Sequence, residues 1–388
     1  MKILFLADDY LFPTNSGGRA VARAEVEHLI ALGHVVEIIV MHRAPLDSEA
    51  DVAHQKFQCH VFFQQRRSIV HQTLTSPFKP YQLGSRRLPP KTTKSFRTRG
   101  YDVIWASHEW MLDVAHEIAK DTDTRIILRS HNDEYRYMLA QSRDGALLRR
   151  LYSLAEAVRL RGQLARLLRV PDSILLISES DAPAYARCDQ PVSVLRPSFG
   201  APADAANLDE RRDSVLFIGA LDMPHAVEGL TWFVDEVWPA VRSSVPNARL
   251  DVVGRAAPAG VRARLGGVEG VRFLGEVADL EPLYGNARVF INPVFSGSGL
   301  NMKIGPPALR GIPVTTTSFG ARGYPSELLV TADSPDEFGR AVTQLLTSDD
   351  FWTASALNSR ELAAHYSSAE AERVMAESLA ICAQQGVR

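Results

Sequence analysis

The chain has 388 residues, enough for two domains of ordinary size, and its 43 basic and 45 acidic residues leave a net charge of −2, which excludes a whole-chain preference for polyanions. With 46% apolar and 23% charged residues the composition is globular, which excludes a disordered or fibrous chain. No apolar run of 18 residues is present to cross a bilayer, and Cys59, Cys188 and Cys382 lie far apart without metal-ligand spacing, which suits packing roles in a reducing cytoplasm.

Residues 1–7 are apolar but run into Asp8 and Asp9 with no small-residue cleavage site, so they read as a first strand, not a signal peptide. A helical pattern over 20–32, a strand over 35–40 and further apolar runs at 103–106, 126–128 and 174–177 predict alternating strands and helices. That order implies a parallel sheet covered on both faces. Residues 197–213 are rich in Ala, Pro, Gly and charge and read as a linker. Strand-like runs then recur at 214–219, 250–254, 271–274, 289–291 and 314–316, a second α/β domain. The expected organisation is a first domain over 1–200, a second over 201–366, and a C-terminal helix over 367–388 that packs back on the first.

Doubly wound sheets bind ligands beyond the carboxyl ends of their strands, so the loops there are the candidates. After the first strand, Gly17 and Gly18 free backbone N–H groups for an anion or a sugar hydroxyl, or form an ordinary turn. The loop is not GxGxxG and lacks the acidic residue a nicotinamide dinucleotide needs. After 126–128, His131 stands beside Asn132 and Glu134, where it can hydrogen-bond a substrate hydroxyl or titrate near neutrality, or be a satisfied loop residue. After 214–219, Asp222 and His225 are placed to touch a sugar or phosphate, while Asp222 equally reads as a cap for a helix near Pro224. The most informative stretch follows 287–291: Gly297-Ser298-Gly299-Leu300-Asn301-Met302-Lys303, then Pro306 and Pro307, where a helix can begin. A glycine loop, a helix N-terminus and a lysine together suit a diphosphate; a tight turn is the plainer reading.

In order and spacing, Gly17-Gly18, 129–134, 177–181, Gly219 to Pro224, Val253-Gly254-Arg255, Phe273 to Val277 and Gly297-Ser298-Gly299 with Lys303 resemble the retaining glycosyltransferases of the GT-B fold, specifically family 4. The resemblance spans nearly the whole chain. It implies two Rossmann-like α/β domains facing across a cleft, with the acceptor on the first and a nucleoside diphosphate sugar on the second. It places the base near Gly254, Arg255, Gly275 and Val277 and the diphosphate near Gly297, Ser298, Gly299, Leu300 and Asn301. Lys303 would neutralise the leaving diphosphate, His131 would contact the donor sugar near its anomeric centre, and Gly17 and Gly18 would close over the diphosphate from the first domain. No metal or other cofactor is implied. Two departures stand out. Ala220 occupies a position where the family commonly has arginine, a loss that His225, Arg255 or Arg322 can offset. Pro306 replaces the glutamate that grips the nucleotide ribose, so the donor lacks a 2′-hydroxyl, or Glu327 or Asn301 takes over the contact, or only binding remains.

From Val52 to Tyr101 there is no acidic residue, while Lys56, Arg66, Arg67, Lys79, Arg86, Arg87, Lys91, Lys94, Arg97 and Arg99 all fall inside. A second basic stretch, 147–169, alternates leucine and arginine at near-helical spacing, which suits either a core-facing helix or one lying on an anionic bilayer. No nucleic-acid motif accompanies it. The sequence therefore points to a cytoplasmic hexose or deoxyhexose transferase, at the inner membrane face in one reading. The hydroxyl acceptor is a polysaccharide, a glycolipid, including an anionic or lipid-linked one, or a small molecule. The rivals are a non-catalytic nucleotide-binding subunit and a sugar-nucleotide epimerase, for which the loops hold few carboxylates.

Overall fold

A computed structural model describes residues 1–12, 17–42, 57–63, 77–143, 147–200, 214–297 and 300–384. The chain divides into two compact units, Met1–Ser198 with Ala371–Arg388, and Phe199–Glu370.

The first unit is built on seven strands, β1 (Lys2–Ala7), β2 (Val35–His42), β3 (Gln58–Phe63), β4 (Val103–Ser107), β5 (Arg125–Ser130), β6 (Ser173–Leu176) and β7 (Val192–Val194). They lie in the order β3-β2-β1-β4-β5-β6-β7, and every pairing is parallel. Consecutive side chains of β1 go to opposite faces, so Ile3 and Phe5 join one core with Ile38, Trp105 and Leu175, while Leu4 and Leu6 join another with Ile104, Leu128 and Leu160. This double burial is why the central strands read as unbroken apolar runs. The helix Ser368–Gln384 supplies Ala371, Val374, Met375, Leu379 and Cys382 to the first of these cores. A buried ion pair crosses the same face. Arg129, fully buried, donates through Nε to Glu25 Oε1 at 2.6 Å, and Trp105 Nε1 donates to Glu25 Oε2 at 3.2 Å.

The second unit has six strands, β8 (Ser214–Ile218), β9 (Arg249–Val253), β10 (Val271–Gly275), β11 (Val289–Asn292), β12 (Val314–Thr316) and β13 (Val330–Thr331), in the order β10-β9-β8-β11-β12-β13, again all parallel. Val215, Phe217, Val252 and Ile291 face helices Pro224–Trp232 and Pro335–Thr347, and Leu216, Val253, Phe290 and Val314 face the opposite core.

Both sheets reverse their winding once: at β1, whose neighbours are β2 and β4, and at β8, whose neighbours are β9 and β11. Ligands of open parallel sheets lie beyond the carboxyl ends of the strands at such reversals. Strands β3, β7 and β13 were not anticipated from the sequence, being a half-exposed edge strand and two very short ones. Removing the carboxylate with Glu25→Ala leaves Arg129 charged and buried alone; denaturant unfolding is expected to show a loss of about 3–5 kcal/mol, with much of it recovered in a Glu25→Met, Arg129→Met double variant.

Candidate functional site

In the first unit the reversal between β1 and β4 opens a cavity of about 230 Å³, lined by Ala7, Asp8, Asp9, Tyr10, Gly18, Arg19, Ala22, Ser107, His108 and His131. His108 follows β4 with φ 106° and ψ 146°, a backbone region that non-glycine residues enter only under strain, at about 1–3 kcal/mol. Its ring is held from both sides. Nδ1 lies 3.0 Å from Glu109 Oε2, Nε2 lies 3.3 Å from Glu134 Oε1, and the ring stacks on Trp110 at 5.2 Å. Burial opposes a charge here, but Glu109, Glu134 and the Asp8 carboxylate outweigh it and raise the His108 pKa to about 10. Glu109 is lowered in turn to about 2 against its own burial, by the imidazolium and by hydrogen bonds from Ser130 and from Tyr185, whose hydroxyl donates to Oε1 at 2.6 Å.

His131 is the opposite case. Burial, then the charges of Arg129 and His108, lower its pKa to about 3, so it is neutral at physiological pH. One ring nitrogen, Nε2, shares a hydrogen bond with Ser107 Oγ at 2.8 Å, and the ring lies 5.9 Å from His108 at 18°. A neutral imidazole offers one donor and one acceptor, the pairing that a sugar hydroxyl matches. At the cavity's other side, Arg19 grips both oxygens of Asp9 at 2.9 and 3.0 Å, and Asp8 lies 3.2 Å from Arg86. Asp181 is raised to about 6 by burial and by the neighbouring Asp133 and Glu109 charges, which keeps a carboxyl near its titration point.

In the second unit the reversal lies between β8 and β11. Backbone bonds tie three strand ends together: Gly219 N donates to Val253 O and Gly254 N to Gly275 O, both at 2.9 Å, and Leu221 N donates to Arg255 O at 3.1 Å. A Cβ on Gly254 would stand 2.5 Å from Gly219 O, so only glycine permits that approach. Lys303 reaches this point: its Nζ is 3.5 Å from where a Gly219 Cβ would be. Burial lowers the Lys303 pKa, and among the described residues no carboxylate forms an ion pair with it. His225 is lowered by burial and by the Lys303 charge, against Glu228.

The loop carrying Lys303 is anchored through amides. Asn301 Oδ1 accepts from Lys303 N at 3.3 Å, its Nδ2 donates to Asn292 Oδ1 at 3.2 Å, and its carbonyl accepts from the Tyr324 hydroxyl at 2.8 Å. Asn292 Nδ2 donates to Thr316 Oγ1 at 2.9 Å, which ties the ends of β11 and β12. Gly297 has φ 134°, open to glycine and little else. The helix here starts at Gly305, one residue before Pro306, after a 3₁₀ turn over Met302–Ile304, and spans only Gly305–Leu309. With two prolines in its first turn it offers few free N–H groups, so Lys303 carries more of any anion than the helix end does.

The sequence-derived candidates thus separate by unit. Gly17, Gly18, His131, Asn132 and Glu134 belong to the first, with Glu134 engaged by His108. Gly219, Asp222, His225, Gly254, Arg255, Gly275, Val277, Gly297, Leu300, Asn301 and Lys303 belong to the second; Ser298 and Gly299 lie outside the described residues. Asp222 does not cap the following helix, whose N-cap is Met223; it is exposed, 3.9 Å from Arg255. Sequence reasoning passed over Ser107, His108 and Glu109, although they end an apolar strand by the same rule that selected His131.

Residues 212–348 match the family model described as Glycosyl transferases group 1. A protein of Klebsiella pneumoniae, described as an uncharacterized 44.6 kDa protein in the cps region, is 24% identical over 336 residues, covering 83% of this chain and 84% of that protein. Among solved structures, Anabaena HepE in complex with UDP superimposes with a TM-score of 0.67 at 17% identity, covering 98% of this chain and all of that one. The pneumococcal O-GlcNAc transferase GtfA, in complex with UDP and GlcNAc, gives 0.67 at 10% identity with 99% of each chain covered. The strand orders of the two sheets and these superpositions agree: the chain has the GT-B fold, and its residues 212–348 are similar to the group 1 glycosyl transferases.

Proposed function

We propose that this protein is a retaining glycosyltransferase of family 4 type that moves a hexose or deoxyhexose from a nucleoside diphosphate sugar to a hydroxyl acceptor without a metal ion. The observation that carries the proposal is Lys303: a desolvated ammonium, unpaired with any carboxylate among the described residues, set against the glycine-lined end of β8. A half-buried cation without a counter-ion is costly, and a diphosphate supplies the missing charge. As the glycosidic bond breaks, negative charge gathers on the leaving phosphate, so the ammonium favours the transition state over the ground state. The base is assigned to Gly254, Gly275 and Val277; at Gly275 no atom lies within 4 Å of where a side chain would begin. HepE has also been solved with UDP-glucose, which supports the same donor class here.

In the first unit's crevice His131 binds a sugar hydroxyl as a neutral ring. His108 and Glu109 hold that ring's surroundings in place, and Asn132 lies beside it. The acceptor, a polysaccharide, a glycolipid or a small molecule, belongs to this unit; of its basic stretch Lys79, Arg86 and Arg99 are paired with Asp113, Asp8 and Glu37, and Lys56, Arg66 and Arg67 lie outside the described residues. Pro306 offers the ribose no acceptor from its side chain, and the Asn301 amide is already engaged by Asn292 and Lys303 N, which favours a donor site indifferent to the 2′-hydroxyl.

Replacing the cation, Lys303→Met, is expected to lower kcat about 10²–10³-fold in a transfer or donor-hydrolysis assay, with the fold retained; an unchanged rate sinks the assignment. Calorimetry with UDP and dTDP is expected to give affinities within about threefold, whereas a tenfold preference for UDP would reveal a relocated ribose contact such as Glu327. For His131, imidazole NMR shifts are expected to stay at their neutral values from pH 8 to pH 5. The unfolded ring takes up its proton near 6.5 and the folded ring only near 3, so this residue's linkage lowers stability as pH falls below 6.5.

A further inference from the structure

The helix Leu147–Leu167 in the first unit is apolar on two sides. Ser153, Ala157, Leu160 and Leu167 face inward and are buried. On the other side, at about 100° per residue, positions 147, 148, 151, 154, 155, 158 and 162 fall within an arc of about 120°. That arc points to solvent: Leu148 is 82% exposed, Leu147 67%, Val158 65% and Leu151 55%. Phe78, 80% exposed, extends the same face, since Arg159 Nε donates to Pro77 O at 2.8 Å and Gln163 Nε2 to Phe78 O at 3.4 Å, pinning that strand of chain beside the helix. Between Phe78 and the helix runs an open apolar groove of about 610 Å³ that Leu151, Leu154, Val158 and Gly162 also line. An apolar stripe of this length outside the core calls for a partner.

Charge identifies the partner. On the same helical projection Arg150 and Arg161 border one edge of the stripe and Arg159 and Arg166 the other. The helix carries five arginines and a single acidic residue, Glu156, which is turned inward and bound to Tyr81 N and Arg159. Among the described residues neither Arg150 nor Arg161 forms an ion pair: Arg150 Nε donates to Ser142 O at 3.1 Å, and the Arg161 guanidinium lies 6.0 Å from the Tyr135 ring. A two-fold contact between copies of this chain would set one cationic rim against another. An anionic bilayer matches both features, with acyl chains under the leucines and phosphates at the arginines.

We propose that the exposed face of Leu147–Leu167, with Phe78, is the surface by which this protein docks on an anionic membrane. The face is chemically independent of Lys303 and His131, so docking and transfer fail or succeed separately. The full chain is mixed at low salt with phosphatidylcholine vesicles and with vesicles that also contain phosphatidylglycerol, then sedimented. Binding is expected to the anionic vesicles only and to weaken as salt rises. Leu148→Glu and Val158→Glu, at exposed positions that keep the circular dichroism spectrum intact, are each expected to reduce partitioning at least tenfold. Arg150→Gln and Arg161→Gln are each expected to reduce it about fivefold. Equal binding to neutral vesicles, no binding to anionic ones, or binding that Leu148→Glu and Val158→Glu leave unchanged overturns the proposal. So does a dimer in sedimentation velocity that Leu148→Glu disperses while vesicles are ignored.

Discussion

A parallel strand covered on both faces can present chemistry only where it ends, and a wide opening forms only where the winding of the sheet reverses. Both constraints act twice in this protein. β1 lies between β2 and β4 in the first unit and β8 between β9 and β11 in the second, and His108, His131 and Lys303, all with shifted protonation, stand at those points. The helices on both faces are what force this arrangement, because they leave the sheet no solvent-facing side.

The two openings manage charge differently. In the first, each ion has its partner: His108 between Glu109 and Glu134, Asp9 against Arg19, Asp8 against Arg86. Such a site is electrically complete and suits recognition of a neutral ligand by hydrogen bonds, with His131 kept uncharged first by burial and then by the cations around it. In the second, Lys303 is left without a carboxylate among the described residues, and its charge also depresses His225. A site in electrostatic deficit selects for an anion. The proposed function uses this division, with a neutral sugar in one crevice and a diphosphate in the other.

The strain at His108 and the amide chain from Thr316 through Asn292 to Asn301 serve the same end by different means. An imidazolium fixed by two carboxylates and a stacked indole cannot rotate away, and that fixation offsets an unfavourable φ. Asn301, by capping the turn Met302–Ile304 through Lys303 N, sets the direction in which the lysine leaves the backbone. Pro306 fits this picture as a structural residue: it occupies the first turn of a five-residue helix, where a missing N–H costs nothing, and its carbonyl accepts from Arg310.

Much of the fold was legible from apolar runs because buried parallel strands have no polar face to interrupt them; β1, β4, β5, β6, β8 and β11 were all visible in this way. Edge strands β3, β7 and β13 were not, being short or only half-buried. Lys303, Gly219, Gly254 and His131 could be chosen from the sequence, since glycine and strand-end placement report backbone needs locally. The company each keeps could not. Glu25 and Arg129 are 104 residues apart and Asn292 and Thr316 are 24, so their pairing exists only after the sheet forms. The sequence by itself determined most of the buried strands and the glycine-bearing strand ends, because hydrophobic periodicity and glycine act over a few residues. Only the tertiary structure decided which ions would be neutralised and which left exposed to a ligand, because burial and Coulomb interaction depend on distance in space and not along the chain.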